Sequence, residues 1–136
     1  MTTYNSKHGT VGRSNMELFM MFTDLRNLSA AIPEAQKQQM DMDVTYDTLT
    51  VRMQGISLGI RICERTPYNT IRMESFNSPF EFKVQLNFND MGGGRTDFSI
   101  VLDAELNGML KLMLGKKLQQ GLDKAVDTLV NVSAQI

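Results

Sequence analysis

The chain has 136 residues, 42 % hydrophobic and 21 % charged, which fits a single folded domain over 1–136 and excludes a disordered chain. A net charge of −1 lacks the basic excess of a nucleic-acid binder, and no apolar run reaches the roughly 18 residues that span a bilayer. The lone Cys63 cannot form an internal disulfide and the polar stretch Met1–Arg13 has no secretory apolar core, so a cytoplasmic protein is expected.

Thr3 to Val11 reads as a weak strand, with Tyr4 its only large residue before Val11. Ser14-Asn15-Met16-Glu17 is a capping box: the serine hydroxyl accepts an orphan backbone N–H and the glutamate reaches back. The helix it opens carries Met16, Leu18, Phe19, Met20, Met21, Phe22 and Leu25, apolar over more than half its circumference, and heavy burial is expected. A second short helix around Leu28–Ile32 follows, with Pro33 either stopping it or opening another turn.

From Met40 the period changes from 3.6 to 2. Met40, Met42, Val44 and Tyr46 alternate with Asp41, Asp43, Thr45 and Asp47; Leu49, Val51 and Met53 with Thr50 and Arg52; Ile56, Leu58, Ile60 and Ile62 with Ser57, Gly59, Arg61 and Cys63. Ile71 and Met73 come next, then Phe80, Phe82, Val84, Leu86 and Phe88. After the Gly92–Gly94 turn come Phe98, Ile100, Leu102, Ala104 and Leu106. Each run has one apolar and one polar face, as an antiparallel sheet wetted on one side requires. Gly55 and Gly59 mark bends or bulges in it.

From Asn107 to about Gln135 the period returns to 3.6. Leu110, Leu114, Leu118, Leu122, Ala125, Leu129, Val132 and Ile136 share one side of a helix about 43 Å long. Gly121 falls on this stripe, where it would permit a close approach to the sheet, and Gly115 at its edge would mark a bend. The order of elements predicts an α+β fold: a curved antiparallel sheet of about seven strands, two short helices after strand one, and the long C-terminal helix wrapped by the sheet.

Several strings carry a resemblance. Asp24-Leu25-Arg26-Asn27-Leu28, Ile62-Cys63-Glu64-Arg65-Thr66-Pro67, Ser78-Pro79-Phe80-Glu81-Phe82, Ala104-Glu105-Leu106-Asn107 and Leu118 through Gly121-Leu122 are similar to those of short bacterial members of the START-like superfamily. That superfamily is also called helix-grip, SRPBCC or polyketide cyclase/lipid-transport-like, and the order of elements resembles it over nearly the whole chain. The chain departs from that group's habit at Gly108, where Pro is frequent, and in having no Trp. The resemblance implies an apolar molecule held between sheet and long helix, and in some members cyclisation or dehydration. It brings no catalytic signature onto these residues.

The inward faces nominate a lining. The first helix contributes Phe19 and Phe22; the early strands contribute Tyr46, Val51, Ile60 and Met73. Phe82, Val84, Leu86, Ile100 and Leu102 come from the later strands, and Leu114, Leu118 and Leu122 from the long helix. Eleven methionines suit an interior that moulds to irregular contents, and also simple gap filling. Tyr46 and Ser75 are the inward polar candidates, Tyr46 either as a cavity hydroxyl or as a strand-end residue in solvent. Glu64 and Arg65 point to opposite faces, so one meets the interior or its rim, where a structural ion pair is expected.

His8 has no Cys/His partner near it, and Asp41, Asp43 and Asp47 lack the Gly and distal Glu of a calcium loop, so no metal or cofactor is expected. Gly92–Gly94 precedes a strand and has no Lys-Ser/Thr after it, which makes it a hairpin turn and no phosphate loop. Met109, Leu112 and Met113 make the start of the long helix apolar nearly all round. They call for burial by the first helix, a ligand portal, or a partner such as a second copy of the chain. The leading expectation is non-catalytic binding of a small apolar or amphipathic molecule. The alternatives are a polyketide cyclase/dehydratase-type enzyme or an interaction module like those that stimulate chaperone ATPases.

Overall fold

The computed structural model describes residues 2–30, 34–38, 40–53 and 55–135. Ile32, Pro33, Gln54 and Ile136, and the side chains of Leu28, Met53, Ile56 and Val132, lie outside the described part.

The weak first strand is two strands, β1 (Thr2–Asn5) and β2 (Gly9–Val11), both antiparallel to β8. The break has a local cause. Ser6 is buried, its hydroxyl accepts the Ile100 N–H at 2.8 Å, and its own N–H donates to the Ile100 carbonyl, so the chain kinks there. Helix α1 (Asn15–Phe22) starts at the Ser14 cap, whose hydroxyl accepts the Glu17 N–H at 3.2 Å. The Glu17 carboxylate takes the Ser14 hydroxyl and the Arg13 guanidinium. This helix buries one side, Leu18, Phe19 and Phe22, while Met16 and Met20 stay exposed, so burial is narrower than the heavy burial expected from an apolar surface over more than half the circumference.

Helix α2 (Leu25–Ala30) begins earlier than expected because Asp24 caps it, accepting the Arg26 N–H at 3.0 Å. The Arg26 guanidinium on the same carboxylate holds Asp24 below its ordinary pKa. A one-turn α3 (Glu34–Lys37) leads into a meander of six strands. These are β3 (Asp41–Val44), β4 (Thr48–Met53), β5 (Ile56–Thr66), β6 (Thr70–Phe76), β7 (Phe82–Gly92) and β8 (Arg95–Ala104). Among the described residues the sheet has eight strands in the order β1-β8-β7-β6-β5-β4-β3, with β2 also on β8.

Helix α4 (Gly108–Gln135) is capped by Asn107, whose side chain accepts the Leu110 N–H at 2.9 Å. It packs on β1, β2 and β8, while α1 lies on β7 and α2 on β3 and β4. Gly9 is the close-approach glycine: a Cβ there would sit 2.6 Å from a Val130 methyl and 3.0 Å from one of Val126. Gly121, expected to face the sheet, is exposed with open space where its Cβ would be; Gly115 instead lies over the Tyr4 hydroxyl, 3.2 Å from its own would-be Cβ. The helix is rotated relative to the stripe's centre, toward β1 and β2. Gln119 donates to the Asn5 carbonyl at 2.7 Å and Asp123 accepts the Lys7 N–H at 2.7 Å, fixing that flank.

Candidate functional site

The inward apolar residues divide into a closed and an open half. In the closed half, Phe22, Phe88 and Phe98 stack with centroids 5.5–6.1 Å apart. Phe19 meets Phe88 edge-on, and Ile71, Met73, Leu86, Ile100, Val126 and Leu129 complete a buried cluster. Five of the predicted lining residues, Phe19, Phe22, Met73, Leu86 and Ile100, therefore belong to packed core.

The open half lies toward the end of the molecule where α4 begins and the β4–β5 turn and the Phe76–Glu81 loop meet. Register places Val51 opposite Leu58, and Val84 opposite both Met73 and Leu102, all on the inner face. Val51, Ile60 and Val84 keep part of their surface uncovered and Leu58 is 37 % exposed. Leu118 and Leu122 of α4 are likewise only partly buried, on a small floor of Phe82, Leu102 and Ala104, and Leu114 one turn before them is partly buried too. Gly121 shares the flank of Leu114 and Leu118, opposite the one held by Gln119 and Asp123, so this side of the helix is bare. Partly buried apolar side chains of the sheet and of the N-terminal half of α4 thus flank this floor.

Tyr46 does not line it. Beyond the end of β3 it is 45 % exposed, with the Arg65 guanidinium over its ring, 5.0 Å from the centroid. The inward tyrosine is Tyr4, opposite Leu102 in register and packed on the floor cluster. Its signal in the sequence was weak, since one large residue in a short polar strand does not reveal a facing.

Arg65 reaches the inner rim because the register shifts between Ile62 and Glu64, which turns Arg65 to the side of Ile71. Its Nε donates to the Thr23 hydroxyl at 2.6 Å; its Nη2 donates to the Thr23 carbonyl and to Asp47 at 2.6 Å. The expected rim ion pair thus joins Arg65 to Asp47, tying α1 to the β3–β4 turn. Glu64 is exposed, 3.6 Å from Arg72.

Ser75, opposite Ile60, faces in, but its hydroxyl accepts the Phe82 N–H at 3.0 Å. Cys63 is exposed on the outer face, and His8 pairs with Asp97 at 2.8 Å. Asp41 and Asp43 both lie on Arg52, whose guanidinium pKa rises through its hydrogen bond to Asp43. Among the described residues no group of three potential ligands is placed to hold a metal, and no helix is long and apolar enough to cross a membrane.

No family model matches the chain, and no curated protein matches it in sequence. Solved structures do. Norcoclaurine synthase from Thalictrum flavum, in complex with dopamine and hydroxybenzaldehyde, aligns over 98 % of this chain and 87 % of its own, with TM-score 0.77 and 6 % identity. A Thermobifida fusca protein solved by NMR aligns over 99 % and 95 % with TM-score 0.71 and 10 % identity. Protein CV1439 from Chromobacterium violaceum aligns over 98 % and 99 % with TM-score 0.68 and 14 % identity. The fold is a helix-grip. At these identities the likeness carries the helix-grip architecture, with its sheet and C-terminal helix, and nothing finer.

Proposed function

We propose that this helix-grip protein binds a small apolar or amphipathic molecule in a groove between α4 and β4, β5 and β7, and does no chemistry on it. One observation carries the reading: Ile60 and Val84 of the sheet and Leu118 and Leu122 of α4 gather on the Phe82, Leu102 and Ala104 floor and yet remain partly uncovered. Leaving apolar surface in water forfeits about 25 cal/mol per Å², and a ligand that covered these walls would recover it. Pockets of this kind are mostly apolar with few polar groups.

The polar groups facing inward can orient a ligand. Tyr4 offers a hydroxyl, Ser75 is engaged by backbone, and Arg65 is held by Thr23 and Asp47. General acid–base work needs a titratable group within reach of the substrate. His8, Cys63, Glu64 and Asp47 sit on the outer face or at the rim.

Native mass spectrometry of protein purified from its own host tests this directly: a co-purifying apolar molecule is expected. A neutral fluorescent dye titrated into the protein should bind, and Gly121→Phe, which fills open space on the groove side of α4, should weaken it by about tenfold or more. Dye binding unchanged by that substitution would place the ligand elsewhere. An enzyme is the second reading, favoured by the structural likeness to a synthase. Conversion of a recovered ligand by wild type that Tyr4→Phe lowers by about a hundredfold would establish it over the first.

A further inference from the structure

The first two turns of α4 carry an apolar surface that no part of the described fold covers. Leu112 is 89 % exposed, Met109 73 % and Met113 63 %; neither α1 nor the sheet takes them up, so of the three expected readings burial by the first helix is set aside and a portal or a partner remains. They share the outward side of the helix, away from the Leu114–Leu118–Leu122 flank. One turn further along, about 6 Å up the axis, stand Lys116 and Lys117, both exposed, and Lys111 lies at the tip itself. Lys111, Lys116 and Lys117 form no salt bridge among the described residues, and from Asn107 to Leu122 the chain has no acidic residue. The carboxylates near this end, Glu81 and Glu105, belong to the sheet side, where the Glu105 N–H donates to the Glu81 carbonyl.

We propose that this tip docks on an anionic lipid bilayer, with Met109, Leu112 and Met113 entering the acyl boundary and the lysines at headgroup level. Charge complementarity selects this occupant. An apolar tip collared by three unpaired cations matches a surface that is apolar within and negative outside, whereas a second copy of the same tip would set those cations against their own kind. The attachment is interfacial, since no helix of the described residues can span a membrane.

Position gives the docking a use. Around the helix, Met113 on the outside is followed by Leu110 and then Leu114, so apolar surface runs from the tip along α4 toward Leu118 and the Phe82, Leu102 and Ala104 floor. If the groove holds an apolar ligand, as proposed above, its mouth opens where the bilayer would lie. The ligand could then pass without crossing water. The docking itself rests on the tip alone and is tested separately from the groove.

Co-sedimentation with phosphatidylcholine vesicles, with and without about 30 mol % phosphatidylserine, is the experiment. Wild type should partition onto the anionic vesicles more than about tenfold more strongly than onto neutral ones, with the preference shrinking as salt rises. Lys116→Glu with Lys117→Glu should remove that preference, and Leu112→Ser with Met113→Ser should abolish partitioning, both without changing the melting temperature, because these side chains are exposed. Dye binding in the groove, measured on the same variants without lipid, should be unchanged; its loss would overturn the separation of tip from groove. Absence of partitioning at low salt, or partitioning that ignores the Leu112/Met113 change, would overturn the docking. So would a wild-type dimer in sedimentation velocity that Leu112→Ser dissolves, which would assign the tip to a second copy.

Discussion

The two halves of this interior are built from the same materials and end differently. On the side of β7, β8 and the C-terminal half of α4, the residues Phe22, Phe88, Phe98, Val126 and Leu129 close on one another until almost no surface remains. On the side of β4, β5 and the N-terminal half of α4, Val51, Ile60, Leu114 and Leu118 have the same polarity and the same periodicity, and they stay partly open. Hydrophobicity alone therefore does not decide closure. Distance does: Gly9 lets Val126 and Val130 approach β2, α1 brings its phenylalanines down onto β7, and the start of α4 overhangs the sheet with its outward side bare.

Stability should respond to that asymmetry. Phe88→Ala, which removes a ring in contact with three others, should cost about 3–5 kcal/mol in urea unfolding, whereas Leu114→Ala should cost about 1 kcal/mol or less. Equal costs would mean that the groove is as well packed as the core. Next in size is Gly9→Ala, expected to cost about 1–3 kcal/mol because its methyl would overlap Val130 and force α4 away. A neutral result would show that the helix has room to yield there.

Arg65→Lys keeps the charge but loses the fork that holds Thr23 and Asp47 together. A cost of about 1 kcal/mol is expected at this partly exposed site, read from the unfolding midpoint. The smallest effect has the opposite sign. Gly121→Ala on the bare side of α4 should raise stability by up to about 1 kcal/mol through helix propensity alone. A loss would return Gly121 to the packed face that the periodicity assigned it.

The fold was largely legible before any coordinates. Period-2 alternation from Met40 to Leu106 marked the six strands of the meander, Asn107 marked the start of the long helix, and Ser14 with Glu17 marked α1. Each rests on interactions within a few residues, which a linear pattern records. The site was less legible. Tyr46 alternated in step with Met42 and Val44 but leaves the sheet after Val44, and Tyr4 gave no pattern until its pairing with Leu102 was known.

What the sequence by itself determined is which residues share a face: the alternating strands, the apolar stripe of α4, and the apolar collar at its start. Only the tertiary structure decided what those faces meet. The register shift after Ile62 changes the parity of the strand and brings Arg65 to the rim, which simple alternation cannot foresee. The azimuth of α4, which exposes Gly121 and sets Gly115 over Tyr4, is fixed by contacts from Asn5, Lys7 and Gly9, more than a hundred residues away. Periodicity specifies a helix's faces relative to one another, and the rotation of the whole helix against the sheet is set by long-range packing.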